Sequence, residues 1–130
     1  MAVEIAQSAV AACSAEGYNV TASVVDRAGV PLALVRAEAA GTHTAGAATA
    51  KAFTSSSSRN PTSAMADAVK NNPVAAGLVD IPGFLVLAGG VPVKSGKETI
   101  GAIGVAGAPG GNLDEACANK AIEKYADRLK

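Results

Sequence analysis

Apolar positions near the N-terminus recur with the spacing of an amphipathic helix. These positions are Ala6, Ala9, Val10 and Cys13. Gly17 is placed to end this helix. The following stretch, NVTASVVDRAGVPLALVR, predicts two strands around the turn DRAG, because β-branched residues precede the turn and Gly29 supplies a permissive backbone. Pro31 suits a strand start, where a missing N–H matters least. We therefore predict a β-hairpin.

The middle of the chain predicts two helices. Thr42 is suited to N-cap a helix that begins at His43 and weakens through the poor helix formers Ser55–Ser58. Asn60 and Pro61 then favour a second, shorter helix, because Asn caps well and Pro is tolerated at the first helical position. The next segment, KNNPVAAGLVDIPG, is interpreted as a loop or a helical turn.

From Phe84 onward the pattern changes to short apolar runs. FLVLAGG and VPVKSG are interpreted as strands joined by a turn at Gly89-Gly90, and ETIGAIGVAG as a further strand. Gly101 and Gly104 inside that strand are costly unless a backbone, a helix or a ligand approaches closely.

A C-terminal helix follows, with Asn112 as its predicted cap and Glu115 at the offset of a capping box. The element order becomes helix, two strands, two helices, three strands, helix. Short strand connections indicate antiparallel pairing. We predict one α/β (α+β) domain over residues 1–130, with a central, largely antiparallel five-stranded sheet flanked by helices.

Composition adds expectations about partners. The chain is 49% hydrophobic but only 3% aromatic, so its core is built from small side chains that bury little area each. We therefore expect a homo-oligomer. Eleven basic and eleven acidic residues argue against binding nucleic acid or an anionic membrane. The N-terminal segment has neither a basic start nor a sustained apolar stretch, which predicts a cytoplasmic protein.

The two cysteines, Cys13 and Cys117, lie near opposite ends of the chain. The favoured interpretation is two buried apolar thiols in helices, with a disulfide as the alternative. Together with a single histidine they do not complete a zinc site without carboxylates from elsewhere.

Several familiar chemistries lack their motifs. In GGVPVKSGKET the glycines of a phosphate-binding loop are spaced wrongly, and Glu98 stands where Ser or Thr is needed. No βαβ unit surrounds GVAGAPGG, and no G-x-S-x-G elbow occurs. The carboxylates, among them Asp26, Asp67, Asp80 and Asp114, are scattered over predicted turns and caps without a paired spacing.

The only histidine carries the strongest functional hypothesis. A helix start favours the neutral imidazole, the form that binds a metal. Ala47, Ala50 and Thr54 project from roughly the same side as His43 and would leave a shallow strip for a flat apolar ligand. Lys51 and Arg59 nearby offer cations for carboxylate groups on the edge of such a ligand. The alternative is a surface histidine beside an alanine strip that packs against protein.

The chain resembles a known family in five segments. They are VVDRAGVPLALVRAEAAGTHT, ATAKAFTSSS, NPTS, DIPGFLVLAGGVPV and IGAIGVAGAPGGNLDE. In this order they resemble the GlcG/HbpS-like haem-binding family, which also supplies the C-terminal domain of PduO-type cobalamin adenosyltransferases. The resemblance extends from about Glu4 to the end of the chain.

The resemblance implies an antiparallel sheet flanked by helices, assembly into homo-oligomers and binding of haem. It implies a role in haem sensing, protection or degradation. His43 is carried over as the iron-ligand candidate and Lys51 as the motif lysine. Our first hypothesis further pairs Lys51 or Arg59 with the haem propionates. These 130 residues show no resemblance to the adenosyltransferase catalytic domain, so the resemblance does not imply that activity. Two alternatives stay open: a non-haem enzyme or corrinoid-handling accessory with a pocket between subunits, and an assembly scaffold.

Overall fold

The computed structural model describes all 130 residues and contains four α-helices and four β-strands. In chain order the elements are α1 Ala2–Ala15, β1 Thr21–Asp26, β2 Pro31–Arg36, α2 Thr44–Ser58, α3 Thr62–Asn71, β3 Gly90–Ser95, β4 Glu98–Ala106 and α4 Gly111–Lys124. Short 3₁₀ helices span Pro73–Asp80 and Ala126–Arg128. None of the helices combines the length and the apolar character needed to cross a membrane.

The strands form one antiparallel sheet in the order β2-β1-β4-β3. The predicted hairpin of β1 and β2 is confirmed, and Gly29 lies in its turn with φ of 78°. The predicted fifth strand was wrong, because the segment before β3 finds its hydrogen bonds elsewhere. The amide of Leu85 donates to Thr54 Oγ1 of α2 at 2.8 Å, and that of Phe84 to the Ile81 carbonyl at 3.0 Å.

The turn predicted at Gly89-Gly90 lies one position earlier, at Ala88 and Gly89, but it does not join two strands, because no strand precedes it. Gly90 is the first residue of β3, and its amide donates to Thr62 Oγ1 at the start of α3, at 2.9 Å. This contact occupies the outer edge of β3, where a further strand would otherwise pair.

The main hydrophobic core lies between one face of the sheet and the pair α1 and α4. Its fifteen buried residues include Ala22, Val24, Ile103 and Val105 from the two central strands. The alternate residues of these strands point to the opposite face and are small, which suits the pleat of a sheet buried on both sides.

Helix α2 packs on that second face at very close range. A Cβ placed on Gly104 would collide with the backbone of α2 at Ala48 and Ala52. A Cβ on Gly101 would collide with the carbonyl oxygen of Val25 in β1. The prediction that these glycines allow a close backbone approach is therefore confirmed.

Three helices begin away from their predicted start. Helix α2 begins at Thr44 because its hydroxyl donates to the Gly41 carbonyl at 2.6 Å and lies 2.8 Å from the Thr21 hydroxyl. Helix α3 begins at Thr62, after an extended Pro61.

Helix α4 begins at Gly111, with Gly110 in the cap position. Asn112 therefore lies inside the first turn, and the predicted capping box was wrong. The Glu115 carboxylate has one buried oxygen, Oε1, without a hydrogen-bond partner.

The two cysteines form a disulfide that joins α1 to α4. Cys13 and Cys117 are both buried, with Cα atoms 5.6 Å apart, although 104 positions separate them in sequence. The favoured prediction of two free thiols was wrong. Each cysteine does lie on the apolar face of its helix, as predicted, but the two faces pack against each other.

Candidate ligand pocket at the start of helix α2

A pocket of about 310 Å³ opens beside the first turns of α2. Helix α2 contributes His43, Ala47 and Lys51 to its wall, and the loop before β3 contributes Leu85 and Leu87. The opposite wall is the chain from residue 106 to 111, where β4 passes into α4, together with Asp114. Apolar walls with a few polar groups are typical of small-ligand sites.

His43 stands at the mouth of this pocket, immediately before the first residue of α2. Its side chain is exposed and makes no hydrogen bond within the chain. The ring lies over Gly41, since a Cβ on that glycine would come within 3.1 Å of Cε1 and 3.2 Å of Nδ1. Gly46, on the next turn, has open space beside it. The imidazole is therefore accessible to a ligand.

The strip predicted on α2 is narrower than the sequence suggested. His43, Ala47 and Lys51 share the pocket because positions i, i+4 and i+8 lie along one helix face. Ala50 does not line the pocket. Thr54 is buried, donates to the Ala50 carbonyl at 2.7 Å and accepts the Leu85 amide.

The floor of the pocket is a buried ion pair. Lys51 Nζ lies 3.1 Å from Asp114 Oδ2 and donates to the Val105 carbonyl at 3.0 Å. The two residues are only 4% and 3% exposed. Burial raises the pKa of the Asp114 carboxyl, while the hydrogen bond from the Ala108 amide and the charge of Lys51 act in the opposite direction.

A glycine makes room for the lysine. Gly89 has φ of 132°, and a Cβ there would lie 2.8 Å from Lys51 Nζ and 2.5 Å from the Val105 carbonyl oxygen. The ammonium is thus enclosed by protein and already paired. It is not an open cation for a haem propionate, so the structure gives no support to that predicted role for Lys51.

Arg59 lies at the other end of α2 and lines a different cavity. Sixteen positions separate it from His43, which at a rise of 1.5 Å per residue is about 24 Å along the helix. Within one subunit the structure therefore brings His43 and Lys51 together and leaves Arg59 apart.

Asp114 is a pocket residue that the sequence analysis did not single out, because it was counted among the carboxylates scattered over predicted turns and caps. The available signal was its helical spacing. Asp114, Cys117 and Ala121 recur at three and four positions and share the buried face of α4. A carboxylate on an apolar helix face requires a buried partner, which here is Lys51.

The structure is thus an α+β domain with a pocket formed by the start of α2, the loop before β3 and the passage from β4 into α4. The chain belongs to the HbpS-like family: the model described as haem degrading protein HbpS-like matches residues 1–123. The predicted family resemblance is confirmed.

Solved structures agree with this membership. A double mutant of Streptomyces reticuli HbpS is 41% identical, has a TM-score of 0.87 and covers 93% of this chain and 81% of its own. The Klebsiella pneumoniae protein ORFY is 27% identical, has a TM-score of 0.83 and covers 94% of this chain and 88% of its own. The PduOC–haem complex, at 23% identity, shares the fold with a TM-score of 0.84 and covers 92% of this chain and 88% of its own. No functionally curated protein matches the chain.

Proposed function

We propose that this protein binds haem at the α2 pocket, with His43 as the iron ligand. The observation that carries the proposal is an exposed imidazole, free of hydrogen bonds, at the mouth of a largely apolar pocket in a chain of the HbpS-like family. The PduOC–haem complex has the same fold and adds support.

The set of donor atoms fits this cofactor. No group of three or more His, Cys, Asp or Glu side chains comes together in the fold, and the other such side chain of the pocket, Asp114, is paired with Lys51. A single imidazole suits an iron whose other positions are filled by a porphyrin. The haem, when bound, would supply iron-centred redox chemistry, which accords with the description of the family.

The pocket residues would have distinct tasks. Ala47, Leu85 and Leu87 would contact the apolar macrocycle, and His43 would hold the iron. Lys51 would act through its aliphatic stem and through its pair with Asp114, which fixes the pocket floor. Arg59 is not assigned to this site because of its distance from His43.

We also propose that the protein is a homo-oligomer. A cavity of about 310 Å³ lies at the small end of ligand sites, so one subunit alone would not enclose a macrocycle. Leu87 beside it is 55% exposed, and Leu32 and Leu34 on the edge strand β2 are 57% and 46% exposed. These side chains offer apolar surface for a second subunit. Light scattering after gel filtration measures the assembly.

The disulfide is relevant to the cellular compartment in which the protein resides. Disulfides persist in oxidising compartments and are rare in the cytosol, so the Cys13–Cys117 bond weighs against the predicted cytoplasmic location.

A hemin titration tests the haem proposal. We expect the wild type to give a shifted, saturable Soret band and His43→Ala to lose that shift and bind at least about tenfold more weakly, since at least 1.4 kcal/mol of coordination is removed. Thr42→Ala is the matched control, because Thr42 is exposed, makes no side-chain hydrogen bond and does not line the pocket. It should titrate like the wild type.

Two outcomes would contradict this proposal in different ways. An unchanged Soret shift in His43→Ala would remove His43 as ligand while leaving haem binding intact. Absence of saturable binding in the wild type would remove the haem and leave the alternative of a non-haem enzyme or corrinoid-handling accessory.

A further inference from the structure

A second cavity, of about 410 Å³, lies at the far end of α2 from the haem pocket. It is enclosed by the tips of both hairpins and by the last turn of α2. Its lining contains no hydrophobic side chain and consists of Arg27, Ser56, Ser57, Arg59, Lys97, Glu98 and Thr99. Such a lining does not suit a porphyrin or another apolar ligand.

The charges of this cavity favour an anion. Arg27, Arg59 and Lys97 are cationic and only Glu98 is acidic, which leaves a surplus of two positive charges. Glu98 pairs with Arg27 at 2.9 Å. Arg59 and Lys97 have no salt-bridge partner. The carbonyl end of α2 opposes an anion, but its partial charge is smaller than that of two free cations.

Arg59 occupies a backbone position that would suit glycine better. It is the only residue other than glycine with positive φ, at φ of 62° and ψ of 25°, and it caps the C-terminus of α2. Helices commonly end in this left-handed conformation with glycine, which carries no steric cost there. A strained residue of this kind points to a role for its side chain.

The frame around these cations is fixed by hydrogen bonds. Asp26 Oδ1 accepts the amides of Ala28 at 2.8 Å and Val30 at 3.0 Å, which orders the β1–β2 turn. Ser56 Oγ donates to the Asp26 carbonyl at 3.0 Å and so ties that turn to α2. The β1–β2 turn is therefore held against α2 before any ligand arrives, which lowers the cost of binding.

We infer that this cavity is a binding site for a phosphate dianion, either free phosphate or a phosphate monoester. The Arg59 guanidinium and the Lys97 ammonium would hold the phosphate oxygens, because Arg presents paired donors and Lys a point charge. The Thr99 hydroxyl makes no hydrogen bond within the chain and would donate to a third oxygen. The site is independent of haem.

Calorimetric titration at low ionic strength tests this inference, with inorganic phosphate, glycerol phosphate and succinate as probes. We expect the two phosphates to bind and succinate to bind at least tenfold more weakly. The tighter of the two phosphates identifies the physiological source. Arg59→Gly should weaken phosphate binding at least tenfold while raising Tm, because it removes the guanidinium and relieves the left-handed strain.

Two further variants complete the test. Glu98→Gln should tighten phosphate binding several-fold, because it removes the carboxylate that competes for Arg27. Lys94→Gln is the matched control: Lys94 is exposed, has no salt-bridge partner and lies outside the cavity, so binding should change less than twofold. Unchanged binding in Arg59→Gly, an equal loss in Lys94→Gln, or succinate binding as tightly as phosphate would each overturn the inference. Hemin titration of Arg59→Gly should match the wild type.

Discussion

The ion pair at the floor of the α2 pocket should control the stability of the protein. Lys51→Met keeps most of the aliphatic stem but removes the ammonium, so the Asp114 carboxylate loses its counter-charge while remaining buried. Removing one partner of a buried pair costs about 3–5 kcal/mol. We expect a loss of this size in the free energy of unfolding at pH 7, measured by urea denaturation.

The loss should depend on pH with a defined sign. Burial already raises the pKa of Asp114, and without the opposing charge of Lys51 the pKa rises further. A raised pKa in the folded state contributes stability at low pH, and this contribution is lost as pH rises from the unfolded value near 3.9 through the folded pKa. Lys51→Met should therefore lose up to about 1.4 kcal/mol per pH unit across that window and then level off.

Companion variants make this prediction refutable. Lys51→Met combined with Asp114→Asn removes both charges and should recover more than half of the loss. Lys94→Met, at an exposed lysine without a salt-bridge partner, should change stability by less than about 0.5 kcal/mol. If Lys51→Met matches this control at pH 7 and shows no added pH dependence, the pair does not stabilise the fold and the reasoning fails.

Three further changes test other parts of the structure. Reducing the Cys13–Cys117 bond should lower the free energy of unfolding by about 2–5 kcal/mol, because the bond closes a loop across 104 positions. Thermal unfolding with and without reductant measures this loss, and two reactive thiols in the untreated protein would contradict the prediction. Gly104→Ala should lower the free energy of unfolding by about 1–3 kcal/mol, because the added methyl forces α2 away from the sheet. Gly46→Ala should raise it by about 0.5–1 kcal/mol, because Gly46 lies in a helix with open space around it. Similar urea midpoints for the two variants would refute the packing argument. Gly41→Ala should displace the imidazole and weaken hemin binding several-fold; an unchanged titration would show that the ring position does not matter.

Much of the fold could be predicted from local patterns. Helix α1, the β1–β2 hairpin and the antiparallel pairing follow from residue spacing and turn chemistry within a few positions. Gly104 also predicted the close approach of another backbone, because a glycine inside a strand is costly without such a contact. The fifth strand was predicted because FLVLA has the apolar content of a strand. It does not form, because the Leu85 amide donates to the Thr54 side chain instead of to a neighbouring strand.

The sequence by itself determined which residues have chemistry to offer, namely one histidine, two cysteines and the lysine of the α2 motif. Only the tertiary structure decided their partners. Lys51 meets Asp114 across 63 positions, and Cys13 meets Cys117 across 104. Periodicity reports on neighbours within a helical turn or a strand, whereas these pairs depend on how the sheet and helices pack. The separation of Arg59 from His43, in contrast, follows from local helix geometry, because a continuous helix holds its two ends apart.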